Sequence, residues 1–368
     1  MYGNNYNDYG NYERKITVIT KKRVLLSGNE TAGEAAVNAG CCFYAGYPIT
    51  PQNQLTEYMG RRLPEVGGTF IQAESEVAAI NMVFGAAVAG ARAMTSSSSP
   101  GVSLKQEGIS YLAGCELPAV IVNMNRAGPG LGDVTPSQSD YFQSTRGGGH
   151  GDYRTITFGP QSLQELYDLT YLAFDLADQY RNPVLILGDG ILAQMMEPVT
   201  LKPFQKKFPA KPWALTGCCG RKPHKILSLF LKHGVLEEHN WHLAKKYEAV
   251  EKSEQRWETF RTDDAEIIIV AFGSAARLAR AAVLAGREKG ISAGLFRPVS
   301  LWPFPYQPLR QLAGKSCKFL VVEMNLGQMV EDVRLAVEGA SPVSFYGRPG
   351  GGVPTPEEIL GFVKKLIK

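Results

Sequence analysis

Ala119-Val120-Ile121-Val122 is an apolar run too short for a helix, and shortly after it comes Asn125-Arg126-Ala127-Gly128-Pro129-Gly130, where the chain must turn. Valine and isoleucine on both faces, closed by polar residues and glycine, mark a strand buried on both sides of a parallel sheet. The signature recurs at Val24–Leu26, Val184–Leu187, Ile267–Phe272 and Phe319–Val322. Helical stretches lie between these runs. Over 162–178, Leu163, Leu166, Leu169, Ala173, Leu176 and Ala177 form one apolar stripe at helical spacing. Near the end, Thr355-Pro356-Glu357-Glu358 supplies an N-cap, an N1 proline and an N3 glutamate in order. Strand–helix alternation predicts an α/β protein of two units, residues 22–200 and 263–368.

The remaining segments differ in composition. Residues 1–14, MYGNNYNDYGNYER, hold hardly an aliphatic side chain, so residues 1–21 are expected to form a flexible arm, or one that orders against a partner through its tyrosines. Residues 201–262 are expected to be a linker, basic and then helical. Within 201–225 there are seven Lys/Arg and no acids, which reads as a solvated connector or as a basic flank for coenzyme A phosphates or an acidic partner.

Composition excludes several classes. With 44% hydrophobic and 20% charged residues over 368 positions, the chain can bury a sizeable core. No apolar run approaches the ~18 residues that span a bilayer, and no secretory signal is evident, so the expectation is a cytoplasmic protein without membrane attachment. A net charge of +4 gives no ground for nucleic-acid binding. None of the six cysteines forms a C-x-x-C pair, so any iron–sulfur cluster must belong to another chain. The adjacent pairs Cys41-Cys42 and Cys218-Cys219 are expected to be small buried hydrophobes. His224, His233, His239 and His242 fit no zinc spacing, and no metal site is assigned.

Three segments carry chemistry. Glu76 opens the nearly all-apolar helix of Gln72-Ala73-Glu74-Ser75-Glu76-Val77-Ala78-Ala79-Ile80-Asn81-Met82, either as a catalytic acid or merely complementing the helix dipole, with Glu74 as its competitor. In Tyr47-Pro48-Ile49-Thr50-Pro51 the prolines restrict Tyr47 and Thr50 to extended backbone, which fixes the threonine hydroxyl's direction. Arg126, at a strand end, suits bidentate carboxylate binding or a surface ion pair.

In this order, Tyr47–Pro51, Ser75-Glu76 and Arg126–Gly130 resemble the alpha chain of the 2-oxoacid:ferredoxin oxidoreductases, which are thiamine-diphosphate enzymes. Gly28-Asn29-Glu30, Thr95 to Gly101 (TSSSSPG), Gln138-Ser139-Asp140 and Thr145 to Tyr153 (TRGGGHGDY) extend the resemblance. Phe272-Gly273-Ser274 and Leu295 to Pro305 (LFRPVSLWPFP) look like the transketolase C-terminal domain that completes such chains, so the likeness covers roughly residues 22–368. It implies a pyrimidine-binding-type parallel-sheet domain followed by that C-terminal domain.

The resemblance also implies roles. Glu76 would be the catalytic acid, hydrogen-bonded to N1′ of the cofactor's aminopyrimidine so that the 4′-nitrogen can remove the C2 proton. Val77, Ala78, Ala79, Ile80 and Met82 would wall it from water and raise its pKa. Tyr47, Pro48 and Ile49 would join Glu76 in binding the cofactor. Thr50 and Arg126 would bind substrate. His150, in the glycine loop, is expected to be structural.

Gly188-Asp189-Gly190 resembles the start of the family's magnesium motif, but residues 209–219, where the asparagine ligands should follow, contain none. Asp189 therefore reads as the end of a buried strand. Thiamine diphosphate would be shared with a beta subunit carrying the diphosphate and Mg²⁺ site and an iron–sulfur cluster, with gamma and ferredoxin-like delta subunits, ferredoxin as acceptor and coenzyme A as co-substrate. Arg126 to Asp133 (RAGPGLGD) is similar to the branched-chain, 2-oxoisovalerate type, although the usual glycine after the arginine is Ala127 here. A 2-oxoglutarate or pyruvate enzyme, or a stand-alone thiamine-diphosphate lyase or transferase, are the alternatives.

Overall fold

The computed structural model describes residues 23–205, 207–314 and 317–367. The N-terminal arm expected over residues 1–21 lies outside the described residues.

The first sheet has seven strands, in the order Ser300–Trp302, Ile156–Phe158, Pro183–Asp189, Ala119–Asn125, Ala93–Ser97, Phe43–Gly46 and Thr69–Gln72. All neighbours are parallel except Ser300–Trp302, which runs antiparallel to Ile156–Phe158. Ala119–Asn125 and Pro183–Asp189 are buried at every position, as strands covered by helices on both faces must be. Leu163–Tyr180 forms the expected amphipathic helix, capped by Ser162 through the Glu165 amide.

The second sheet orders Val343–Gly347, Lys318–Glu323, Ile267–Val270, Ala293–Pro298 and Trp257–Phe260, with only the last antiparallel. The closing helix Pro356–Ile367 begins with the expected capping box. Thr355 Oγ1 accepts from the Glu358 amide at 3.2 Å, and the Glu358 carboxylate accepts from the Thr355 amide at 2.9 Å.

Several expectations are corrected. Val24–Leu26 belongs to Arg23–Ser27, which pairs antiparallel with Met196–Thr200 in a separate two-stranded ribbon, and Leu25 is 62% exposed. The run was too short to show that its middle residue faces water. The expected linker contains Trp257–Phe260, a strand of the second sheet. Its basic part is pinned to the first unit. Lys211 pairs with Asp178 at 2.7 Å, Arg92 bonds both Asp175 and Asp178, and Phe208 lies under the Arg92 guanidinium. Of the adjacent cysteines only Cys41 is buried, while Cys42, Cys218 and Cys219 are exposed.

Ser300–Trp302 is where the second unit adds a strand to the first sheet. Side chains lock the same junction: Gln138 Nε2 donates to the Phe272 carbonyl at 2.8 Å, and Ser274 Oγ donates to Asp189 at 2.9 Å.

This topology positions the site. The segments beginning at Tyr47, Ser75, Ser98 and Arg126 all leave the carboxyl ends of parallel strands on one side of the sheet. In open α/β sheets that is where ligands bind.

Candidate active site

Ser75 decides which of the two neighbouring acids enters the protein. It is in extended backbone and accepts a hydrogen bond from the Ala78 amide at 3.1 Å, so the helix Glu76–Val88 starts at Glu76. Glu74 is left exposed, whereas Glu76 is 6% exposed.

The Glu76 carboxyl faces the first turn of the helix Ser99–Gly114. A Cβ added to Gly101 would stand 2.6 Å from Glu76 Oε1, so only glycine leaves room for the carboxyl. Among the described residues none donates a hydrogen bond to that carboxylate. Beside it, also packed on Gly101, is Ser97, whose hydroxyl is buried without a partner among the described residues.

The wall differs from the one expected. Val77 is 44% exposed, Ala78 and Met82 are half-buried, and only Ala79 and Ile80 are fully enclosed. Glu76 is enclosed chiefly by the Ser99 helix crossing over it, which no periodicity within its own segment could reveal.

Arg126 is anchored to the same turn. Ser99 Oγ accepts from the Arg126 amide at 3.0 Å and from Asn125 Nδ2 at 2.6 Å. Arg126 is 9% exposed, its guanidinium donating from Nη1 to the Thr50 carbonyl and from Nη2 to the Leu131 carbonyl, each at 3.1 Å. Its Nε is buried without an acceptor, and no carboxylate pairs with it among the described residues, which removes the surface ion-pair reading.

The Tyr47–Pro51 loop meets Arg126 through its backbone. Thr50 is exposed, and among the described residues its hydroxyl accepts only from Asn53 Nδ2, at 3.4 Å. The Tyr47 and Ile49 carbonyls accept from the Gln52 side chain and amide. Pro48 lines a different cavity of about 340 Å³, with Asn53, Thr56 and Phe70. The structure thus gathers Glu76, Arg126 and the Thr50 backbone at one helix terminus. Pro48 faces the separate cavity, and Tyr47 and Ile49 are held through their carbonyls by Gln52.

A cavity of about 400 Å³ opens between the two units, lined by Arg126, Gly128, Pro129, Asp140, Asn325 and Leu326 among others. Burial pushes the Asp140 carboxyl up, while Asn123 Nδ2 donates to it at 2.8 Å. Asn123 and Asn125, which bond Asp140 and Ser99, were not singled out from the sequence. Their signal was two amides alternating at the carboxyl end of an otherwise apolar strand. His150 is exposed on the glycine loop, edge-on to Tyr111. Asp189 is committed elsewhere: one oxygen accepts from the Ile191 and Leu192 amides and from Ser274, and burial raises its pKa.

Residues 34–226 match the thiamine-diphosphate-binding domain of pyruvate flavodoxin/ferredoxin oxidoreductases, and residues 265–359 match pyruvate:ferredoxin oxidoreductase core domain II. The ketoisovalerate oxidoreductase subunit VorB of Methanothermobacter thermautotrophicus is 48% identical, over 93% of this chain and 97% of its own length. The chain belongs to the 2-oxoacid:ferredoxin oxidoreductases. It is a subunit of a thiamine-diphosphate-dependent enzyme of that family.

Two further likenesses place the subunit within the family. The 2-oxoglutarate synthase subunit KorA of Archaeoglobus fulgidus is 39% identical over 92% of this chain and 98% of its own. The 2-oxoglutarate:ferredoxin oxidoreductase of Magnetococcus marinus, solved with 2-oxoglutarate, coenzyme A and succinyl-CoA bound, superposes with a TM-score of 0.84. That match is 25% identical, covering 95% of this chain and 66% of that one.

The residues present fit the family's cofactor. A buried carboxyl with no internal donor, beside an orphaned hydroxyl and a glycine without bulk, leaves a polar surface for an aminopyrimidine ring. Glu76 would hold the ring nitrogen, and Gly101 would let the ring approach. No helix among the described residues is long and apolar enough to cross a membrane.

Proposed function

We propose that this chain is the alpha subunit that supplies the pyrimidine half of the active site. The reaction converts 2-oxoisovalerate and coenzyme A to the branched acyl-CoA and CO₂, with the two electrons leaving to ferredoxin. The observation that carries the reading is the Glu76 carboxyl, buried and without a donor at the head of its helix. The branched-chain assignment rests on identities of 48–49% to ketoisovalerate oxidoreductase subunits, against 36–39% to 2-oxoglutarate synthase subunits.

The cofactor, when bound, supplies the nucleophilic carbon and the electron sink. This chain supplies orientation and a proton site. Glu76 holds the proton shared with N1′. Arg126 receives the substrate carboxylate with the donors its two carbonyl bonds leave free. Pro129 and Leu326 give the cavity an apolar stretch of wall against which a branched side chain can pack.

A beta subunit holds the diphosphate, Mg²⁺ and an iron–sulfur cluster, with gamma and delta subunits completing the electron path. Asp189 supports this division, because its carboxyl caps the helix Gly190–Gln194 and ties down Ser274 instead of facing a metal. Calorimetry tests it. The chain alone should bind thiamine diphosphate with Mg²⁺ weakly or not at all, and the chain assembled with its beta partner should bind tightly. Tight Mg²⁺-dependent binding by the chain alone would overturn the half-site and favour a self-sufficient enzyme.

A further inference from the structure

Lys105 is a buried charge that the reading above leaves unused. It lies one turn beyond Gly101 on the Ser99 helix, in the seam against the Glu76 helix. Glycines on either side of it let the two backbones close: a Cβ on Gly101 would meet Glu76, and one on Gly108 would stand 2.6 Å from Ile80. The Lys105 side chain is wholly enclosed, at 0% exposure. Among the described residues its ammonium makes one hydrogen bond, a long one of 3.4 Å to the Glu76 backbone carbonyl.

Among the described residues no carboxylate lies within ion-pair distance of Lys105, and Glu76 is the one charged group, from any element packed there, that acts on it. Burying an ammonium without a counter-ion is costly, and an apolar side chain of the same length would fill the seam without that cost. Packing alone therefore does not account for a lysine here. Desolvation pushes the amine down to about 8, opposed by the attraction of Glu76.

We propose that Lys105 is a positioning residue for the proton chemistry of Glu76, its positive charge in the seam holding the Glu76 carboxyl in the ionised form. This rests on Glu76 being the activating acid. A cation in the same seam as the carboxylate favours the proton of the shared bridge residing on the ring nitrogen and not on Glu76. No bond other than that N–H is made, and Lys105 keeps its own proton. The support lasts only while the amine is charged. It is present below pH about 8 and fades above it, giving the enzyme an alkaline limit set by Lys105.

Lys105→Met keeps the length of the side chain and removes the charge, and Lys105→Gln serves if the methionine variant assembles poorly. Both are made in the assembled multisubunit enzyme. Infrared difference spectroscopy, with Glu76→Gln as the subtraction, reads the protonation of the Glu76 carboxyl without turnover. The midpoint of the Glu76 carboxyl titration should move up by at least about one pH unit, a tenfold change in its protonation equilibrium. In parallel, the unmodified enzyme should lose kcat/KM above pH about 8, and this fall should be absent from the variant's profile. An unchanged infrared titration overturns the proposal whatever the activity does, because a merely structural lysine would not move it. If Glu76→Gln itself turns over normally, the underlying reading of Glu76 fails. If Glu76→Gln is impaired while Lys105→Met titrates like the unmodified enzyme, only the role of Lys105 fails.

Discussion

Arg126 enters the site with part of its donor set already spent. A guanidinium carries five N–H groups; one goes to the Thr50 carbonyl and one to the Leu131 carbonyl, which fixes the plane of the fork. The orphaned Nε–H and the remaining terminal N–H groups are what a carboxylate can take. Arg126→Lys keeps the charge, loses the fork and releases at least one of the two carbonyls, Thr50 or Leu131, that the fork holds. A charge-assisted contact is worth roughly 1.5–3 kcal/mol, so KM for the 2-oxoacid should rise about ten- to a hundredfold with kcat little changed. Steady-state kinetics of the assembled enzyme with 2-oxoisovalerate, 2-oxoglutarate and pyruvate checks this, and unchanged kcat/KM for every oxoacid would remove Arg126 from substrate binding. At this scale the sequence named the residue but not its surroundings. The Thr50 hydroxyl was expected to be the reaching group, yet its carbonyl is what meets Arg126, and carbonyls carry no sequence signature.

Two crossing helices make the site. Gly101 and Gly108 lie on the face of the Ser99 helix that meets the Glu76 helix, but they touch different things: Gly101 faces Ser97 and the Glu76 carboxyl, and Gly108 faces Ile80. Gly101→Ala and Gly108→Ala should each strain the crossing by about 1–3 kcal/mol through overpacking. Only the first pushes on the reacting acid. Comparable falls in melting temperature, with a far larger loss of turnover for Gly101→Ala, is the expected pattern, and equal turnover losses would show that Gly101 acts through stability alone. Which strands form a parallel sheet was largely legible, because Ala119–Asn125 and Pro183–Asp189 are buried on both faces and read as unbroken apolar runs. Phe43–Gly46 and Thr69–Gln72 escaped notice: each has four residues, and neither is a clean aliphatic run. The crossing itself was hidden, since it depends on residues 25 or more positions apart packing by the absence of a side chain.

The two α/β units were visible as a change of pattern along the chain, but their interlocking was not. Ser300–Trp302 is three residues long and hydrogen-bonds into the other unit's sheet, and Arg297, three residues before it, bonds both Glu165 of the first unit and Glu258 of the second sheet. Such a strand has no composition that betrays which sheet it joins. The consequence is a 400 Å³ cleft whose walls come from both units, with Arg126 and Asp140 on one side and Asn325 and Leu326 on the other. Everything placed there depends on Glu76 serving as the acid on the cofactor ring, and one substitution isolates that role. Glu76→Gln in the assembled enzyme keeps the size and one hydrogen bond but cannot share a proton. Cofactor affinity should stay nearly intact while exchange of the thiamine C2 proton, followed by NMR after acid quench, slows by about 10²–10⁴-fold. Exchange at the unmodified rate, with the cofactor demonstrably bound, would contradict the account.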